Sequence, residues 1–196
     1  MKTMVKLVIS VLVIFLFNHV KAQKAQKAEE YFYSGQFNEA IQEYKKFGEN
    51  NAVALFMIGV SYYMQSKYQE SISYMEKAIK ICEEGKPCFL RADTAFYWLG
   101  RAYLGKGDYE KAVDILERVA EIAEENPKPP IDSPSWRRFY STLVPKKSNA
   151  LFWLGDAYYL RGEYQRAVKT LNESIKLDPN FKDAIFLARI ILWETK

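Results

Sequence analysis

The sequence predicts an all-α fold, a superhelical solenoid of about four helix-turn-helix units completed by a C-terminal capping helix. Two observations carry this reading. A tyrosine, an aromatic residue six positions on and an alanine or serine three further recur four times, as Tyr31/Phe37/Ala40, Tyr62/Tyr68/Ser71, Tyr103/Tyr109/Ala112 and Tyr158/Tyr164/Ala167. Around each recurrence the apolar residues fall at helical spacing. Units repeated in this way stack so that each covers its neighbour's apolar face, which leaves one long concave surface better suited to binding than to reaction.

The chain opens with Lys2 and Lys6 ahead of the apolar run Leu7 to Phe17, and Val20-Lys21-Ala22 places small residues where cleavage would occur. Residues 1–22 therefore read as a secretory signal peptide. The run is shorter than the roughly 20 apolar residues that span a bilayer, and an uncleaved inner-membrane anchor facing the periplasm is the alternative. No cysteine stands directly after it, which excludes a bacterial lipoprotein anchor. Removal of Lys2, Lys6 and Lys21 with no acid lowers the formal net charge from +4 to +1. The basic balance is thus no warrant for nucleic-acid binding. The only histidine, His19, leaves as well, and with it any Ser-His-Asp or Cys-His nucleophile and the usual histidine-rich metal site. Adjacent acids at Glu83-Glu84 and Glu124-Glu125 point apart on a helix and read as charged surface. Neither a phosphate-binding glycine loop nor a calcium loop is present, so no catalytic residue, metal or cofactor is expected.

Four units follow, at about 23–51, 52–85, 93–126 and 148–181. The third is the clearest. Phe96, Leu99, Gly100 and Tyr103 share one helix face, a turn comes at Gly105 to Asp108, and Tyr109, Ala112, Val113, Leu116 and Val119 line a second helix. Gly59, Gly100 and Gly155 stand at one place in their first helices, where glycine is unfavourable unless a neighbouring helix must come close. Ala40, Ser71, Ala112 and Ala167 supply small side chains opposite. Gly35, Gly107 and Gly162 end the first helices where positive φ is wanted, with Ser66 the departure. After Pro179, Phe181, Ala184, Ile185, Ala188 and Leu192 predict a capping helix within 181–195.

Leu55-x-x-Ile58-Gly59-x-x-Tyr62, Phe96-x-x-Leu99-Gly100-x-x-Tyr103 and Leu151-x-x-Leu154-Gly155-x-x-Tyr158 resemble the tetratricopeptide repeat. The first unit is degenerate, with Lys24 and Ala28 in place of the aromatic and the glycine. The resemblance spans about residues 23 to 195, inserts excepted, and implies the fold far more than any particular function. It also implies that first helices line the concave face through their fifth, ninth, twelfth and thirteenth positions. These are Phe56, Val60, Tyr63 and Met64, then Tyr97, Arg101, Leu104 and Gly105, then Phe152, Asp156, Tyr159 and Leu160. Family members that hold chaperone tails use lysines and asparagines for a carboxylate, and Phe56 and Val60 stand where polar groups would be needed. On this reading Phe56→Ala with Tyr97→Ala weakens partner binding and spares folding.

Tyrosine spacings of 31, 41 and 55 residues, against a family period of about 34, place two inserts, at 82–92 and 125–147. The first holds both cysteines, Cys82 and Cys88, about a Gly85/Pro87 turn. In an exported chain they are expected to form a structural disulfide, with a redox or metal role as the alternative. The second insert contains five of the seven prolines. Asp132-Ser133-Pro134 would start a short helix with Trp136, Phe139, Tyr140 and Leu143 on one face and Arg137 and Arg138 on the other. This helix either packs on the solenoid or forms a lid or second surface for an acidic partner or anionic lipid.

An aromatic groove with one acid and one base suits a peptide with apolar anchors. The expectation is a non-enzymatic interaction scaffold in the bacterial periplasm that binds a protein or peptide segment of an envelope assembly component. Membrane contact would come only through an uncleaved leader or a partner. Two alternatives stand beside it: a glycan binder relying on Tyr63, Tyr97 and Tyr159, and a thiol redox factor relying on Cys82 and Cys88. Asn172-Glu-Ser174 would accept a glycan in a eukaryotic secretory pathway.

Overall fold

The computed structural model describes residues 25–85, 88, 90–130 and 132–195, and every regular element among them is helical. The leader expected over 1–22 lies outside the described residues. Helix α1 covers 25–33. It is followed by α2 (Phe37–Lys45), α3 (Ala52–Met64), α4 (Tyr68–Glu83), α5 (Ala92–Lys106) and α6 (Tyr109–Ile122), then α7 (Pro134–Leu143), α8 (Lys147–Leu160), α9 (Tyr164–Leu177) and α10 (Lys182–Glu194). From α2 onward each helix packs on the next, except that α6 packs directly on α8 and leaves α7 outside the stack.

Within the second, third and fourth hairpins the two helices approach at a glycine. A Cβ on Gly100 would lie 2.7 Å from Leu116 Cγ and 2.9 Å from its Cδ2, and one on Gly155 would meet Leu171 at the same distances. At Gly59 the obstacle is Met75 Cγ, 2.7 Å away. The large residue in the opposite helix fills the notch, therefore, and the small residue one turn earlier lets the backbones close in. The Ser71 and Ala167 carbonyls lie 3.2 and 3.4 Å from those Cβ positions. Each turn needs a residue at positive φ. Gly35, Gly107 and Gly162 supply it, and in the second hairpin Ser66 takes the left-handed conformation at φ 58°.

The third and fourth hairpins are each joined to the preceding unit by a bond of the repeat tyrosine. Tyr103 Oη in α5 donates to Glu76 Oε1 in α4 at 2.6 Å, and Tyr158 in α8 donates to Glu117 in α6. The degenerate first unit is held differently. Glu43 of α2 accepts from Lys46 at 2.6 Å and pairs with Lys27 of α1 at 3.1 Å, while Ala28 and Phe32 are buried.

The inserts leave the stack intact. Lys147 N donates to the Glu124 carbonyl at 2.8 Å, which closes the base of the long insert. Arg91 pairs with Asp93 through Nε and Nη2 and reaches Glu124 at 2.8 Å, so the end of the short insert is tied to the start of the long one. Cys82 and Cys88 are paired, with Cα atoms 5.2 Å apart, within the range a disulfide needs. In the capping helix Ala184, Ala188 and Ile191 enter the core. Leu192, expected there, is exposed, because Ile191 and not Leu192 continues the i, i+4, i+7 face.

Phe56 and Val60 are fully buried, and Tyr97 and Leu104 are nearly so. These four belong to the core, which corrects their assignment to an open groove. Phe56→Ala alone is therefore expected to cost about 3–5 kcal/mol, read as a lower midpoint in chemical denaturation. Gly100→Leu is expected to cost about 1–3 kcal/mol through overpacking against Leu116, and unchanged cooperative melting would contradict the close approach.

Candidate functional site

The first helices α3, α5 and α8 present what remains of the concave face. Tyr63, Arg101, Phe152, Asp156 and Tyr159 are partly exposed, and Met64 and Leu160 are exposed at its edge. Gly105 is exposed, and a Cβ there would run into the Tyr68 ring.

Arg101 is the centre of this surface. Its guanidinium carbon lies 4.4 Å from the ring centroids of Trp98 and Trp153, 4.9 Å from Tyr63 and 5.3 Å from Tyr97. The rings brace one another edge to face, Tyr63 and Tyr97 both against Trp98 at 5.3 and 5.8 Å. Ring quadrupoles attract the cation, yet no carboxylate pairs with it among the described residues, and its buried Nε has no hydrogen-bond acceptor. The surface is thus a partly exposed positive charge held by aromatic walls, without an anion among the described residues.

Asp156 takes the same place in the next repeat. It is half-buried, and burial raises its carboxyl above the usual range. No hydrogen bond or ion pair compensates it among the described residues. Tyr159, one turn on, donates to Glu194 of the capping helix at 3.0 Å. Phe152 is tilted against Phe181 with centroids 5.0 Å apart, so this end of the face is tied to the cap.

Helix α7 lies across the first helices of the N-terminal half. Trp98 Nε1 donates to the Leu143 carbonyl at 2.9 Å, and Leu143 is fully buried. Phe139 contributes to a cavity wall together with Tyr33 of α1 and Val53 and Met57 of α3. Arg138 stands over the Tyr33 ring at 4.8 Å, and Arg91 faces Tyr140 at 5.8 Å. The helix thus packs on the solenoid as the first of the two sequence alternatives has it. Arg138 turns towards α1 instead of joining Arg137, which pairs with Asp132 at 3.1 Å on the exposed side. The Trp136 side chain lies outside the described residues.

Several residues of this surface escaped the sequence reading. Met57, Trp98 and Trp153 all occupy the sixth repeat position, which alternates with the fifth around the helix, and two tryptophans at one repeat position were the available signal. Glu29, Tyr33 and Tyr44 belong to the degenerate first unit, where the motif gave no register. Burial pushes the Tyr33 hydroxyl up to about 12, with Glu29 adding and Arg138 opposing. Among the described residues no group of three or more metal-ligating side chains occurs, and no helix is long and apolar enough to cross a membrane.

Models of the tetratricopeptide repeat match residues 52–84 and 148–181 in one form and 93–126 in another. No curated protein matches the chain in sequence. Among solved structures, the MamA RS-1 ArsTM double mutant is similar over 89% of this chain and 84% of its own, with TM-score 0.68 and 17% identity. The APC/C hetero-tetramer Cut9–Hcn1 is similar over 84% of this chain and 28% of that one, with TM-score 0.66 and 16% identity. The Arabidopsis OM64 TPR domain is similar over 75% of this chain and 99% of its own, with TM-score 0.56 and 15% identity. Identities this low speak for the fold alone, whereas the repeat models cover just over half of the chain. The chain belongs to the tetratricopeptide-repeat family, whose repeats serve as scaffolds for protein–protein interaction.

Proposed function

We propose that this protein is a non-enzymatic scaffold that binds a partner's peptide segment on its concave face, with Arg101 and Asp156 selecting charged groups between aromatic anchors. The observation that carries this reading is the Arg101 guanidinium, walled by four rings and left without an anion. The rings offset part of the cost of holding a cation in that setting, and an anionic group would offset more of it. A carboxylate on a partner segment would meet Arg101, and a basic or amide group would meet Asp156 in the next repeat. Large rings on either side bury area with little loss of conformational entropy.

The reading places the protein in the cell envelope, exported by its leader to the periplasm, and engaged with an assembly component there. Support comes from the leader pattern in residues 1–22 and from the Cys82–Cys88 pair, which suits an oxidising compartment. The glycan alternative is weaker because Tyr97 is buried, which leaves Tyr63 and Tyr159 on separate repeats. For the thiol alternative, a purified protein with no free thiol and no change in function after Cys82→Ser with Cys88→Ser would end any redox role.

The direct test is crosslinking in the native host after fractionation. Recovery of an envelope partner with the wild-type chain is expected to fall at least tenfold with Arg101→Ala and to change with Asp156→Asn, while helix content is kept. A cytoplasmic pool with an intact leader would overturn the export reading, and recovery indifferent to Arg101 would overturn the groove. Asp156 also gives a pH signature. Its folded carboxyl titrates above the unfolded one, so ionising it lowers stability above the folded pKa, and that loss is relieved as pH falls through it. Asp156→Asn should raise the melting temperature at pH 7, and the gain should vanish below about pH 4.

A further inference from the structure

A cavity of about 140 Å³ remains between α1, α2, α3 and the ring of Phe139. Tyr44 reaches it from α2. That residue is only 6% exposed, and its hydroxyl is buried without a hydrogen-bond partner among the described residues. Glu29 faces the same space from α1, half-buried, with its carboxyl raised by burial and pulled back by Arg138. Val53, Met57 and Phe47 complete an apolar lining. The space therefore has a greasy wall and two polar atoms suited to a ring that carries an O–H or N–H. The Phe139 side chain has no polar atom and satisfies only the apolar part.

The resident helix is also set up to leave. Ser135, Arg137, Arg138, Ser141 and Thr142 are exposed, and α7 is not part of the stack between α6 and α8. The base of the insert is closed by Lys147 N and the Glu124 carbonyl and Leu143 is anchored by Trp98, so the turns of α7 ahead of Leu143 can lift while the third and fourth hairpins stay packed.

We propose that the groove between α1 and α3 is a docking site for an amphipathic helix of a protein partner bearing an arginine followed by a tyrosine or tryptophan, and that α7, through Arg138 and Phe139, is a weaker resident occupant which this helix displaces. Arginine on the incoming helix takes the place over Tyr33 and beside Glu29 that Arg138 holds. Its ring enters where Phe139 sits and extends to the Tyr44 hydroxyl. The inference rests on the reading that this face receives protein segments, and it adds the partner's chemistry and the competitor that gates entry.

Labelled synthetic peptides with the sequence of residues 132–145 test it by fluorescence anisotropy on the full-length chain. A peptide carrying Phe139→Trp should bind at least tenfold more tightly than the unaltered peptide, and one carrying Arg138→Ala with Phe139→Ala should not bind. In the chain, Arg138→Ala with Phe139→Ala removes the resident side chains and should strengthen binding at least tenfold. Tyr44→Phe, which keeps the ring and its packing, should erase the preference for tryptophan. Equal affinity for peptides with tryptophan, phenylalanine or alanine at that position would overturn the proposal, as would a wild-type dimer formed by exchange of α7 between copies. Loss of peptide binding with Arg101-dependent crosslinking intact would sink this inference alone, whereas loss of the crosslinks alone would sink the broader reading.

Discussion

Close approach of paired helices at a residue without a side chain is the constraint on which the rest of this protein depends. Gly59, Gly100 and Gly155 each receive a large apolar side chain from the opposing helix at a distance that a Cβ would forbid. Interiors packed this tightly transmit small displacements, so the notch fixes how far apart the two helices of a hairpin lie. That spacing in turn aims the repeat tyrosines at the preceding unit. Tyr103 and Tyr158 then meet Glu76 and Glu117, and the angle between successive hairpins follows. Arg166 adds to the second of these joints by bonding Glu117 at 2.7 Å and the Tyr158 hydroxyl at 2.6 Å. The concave face is the consequence of a notch and a bond repeated from unit to unit.

On that rigid scaffold the inserts provide what differs from one unit to the next. The long one is pinned at its base and tied to the short one through Arg91, so its helix returns over α1, α3 and α5 instead of extending into solvent. This arrangement divides the concave face in two. The N-terminal half is covered by α7, and the C-terminal half exposes the caged Arg101 with Asp156 beyond it. Stability and the proposed binding pull in opposite directions at both places. Among the described residues, packing explains neither an arginine without an anion, nor a half-buried acid without a donor, nor a buried tyrosine hydroxyl without a partner, and buried polar groups are otherwise satisfied in folded proteins. The proposed partner segments would supply the missing groups.

Much of the fold was legible because each hairpin's needs appear as residue types at fixed places. A positive-φ residue was expected in every turn, and even the departure at Ser66 adopts that conformation. The extra helix in the long insert was legible from Ser133-Pro134 and the apolar spacing through Leu143. The face of that helix was less so, since Arg138 turns to a ring that no local pattern reveals. The groove was the least legible part. Family positions said which side chains face inwards, but whether they meet solvent depends on how tightly neighbouring hairpins close. Phe56 and Val60 are sealed by that closure, whereas Arg101 at the matching place one repeat later keeps a partly exposed head. The tyrosine–glutamate joints were hidden because a tyrosine at helical spacing looks like packing alone.

The central claim is that α7 is a removable occupant of a groove belonging to an otherwise continuous stack. Hydrogen exchange of the backbone amides tests it directly, because local and global openings are read in one experiment. The account predicts that amides of residues 134–143 exchange through a low-energy local opening, while those of α3 to α6, α8 and α9 exchange only with cooperative unfolding. Protection of α7 equal to that of α5 would contradict it and make this helix a permanent part of the core.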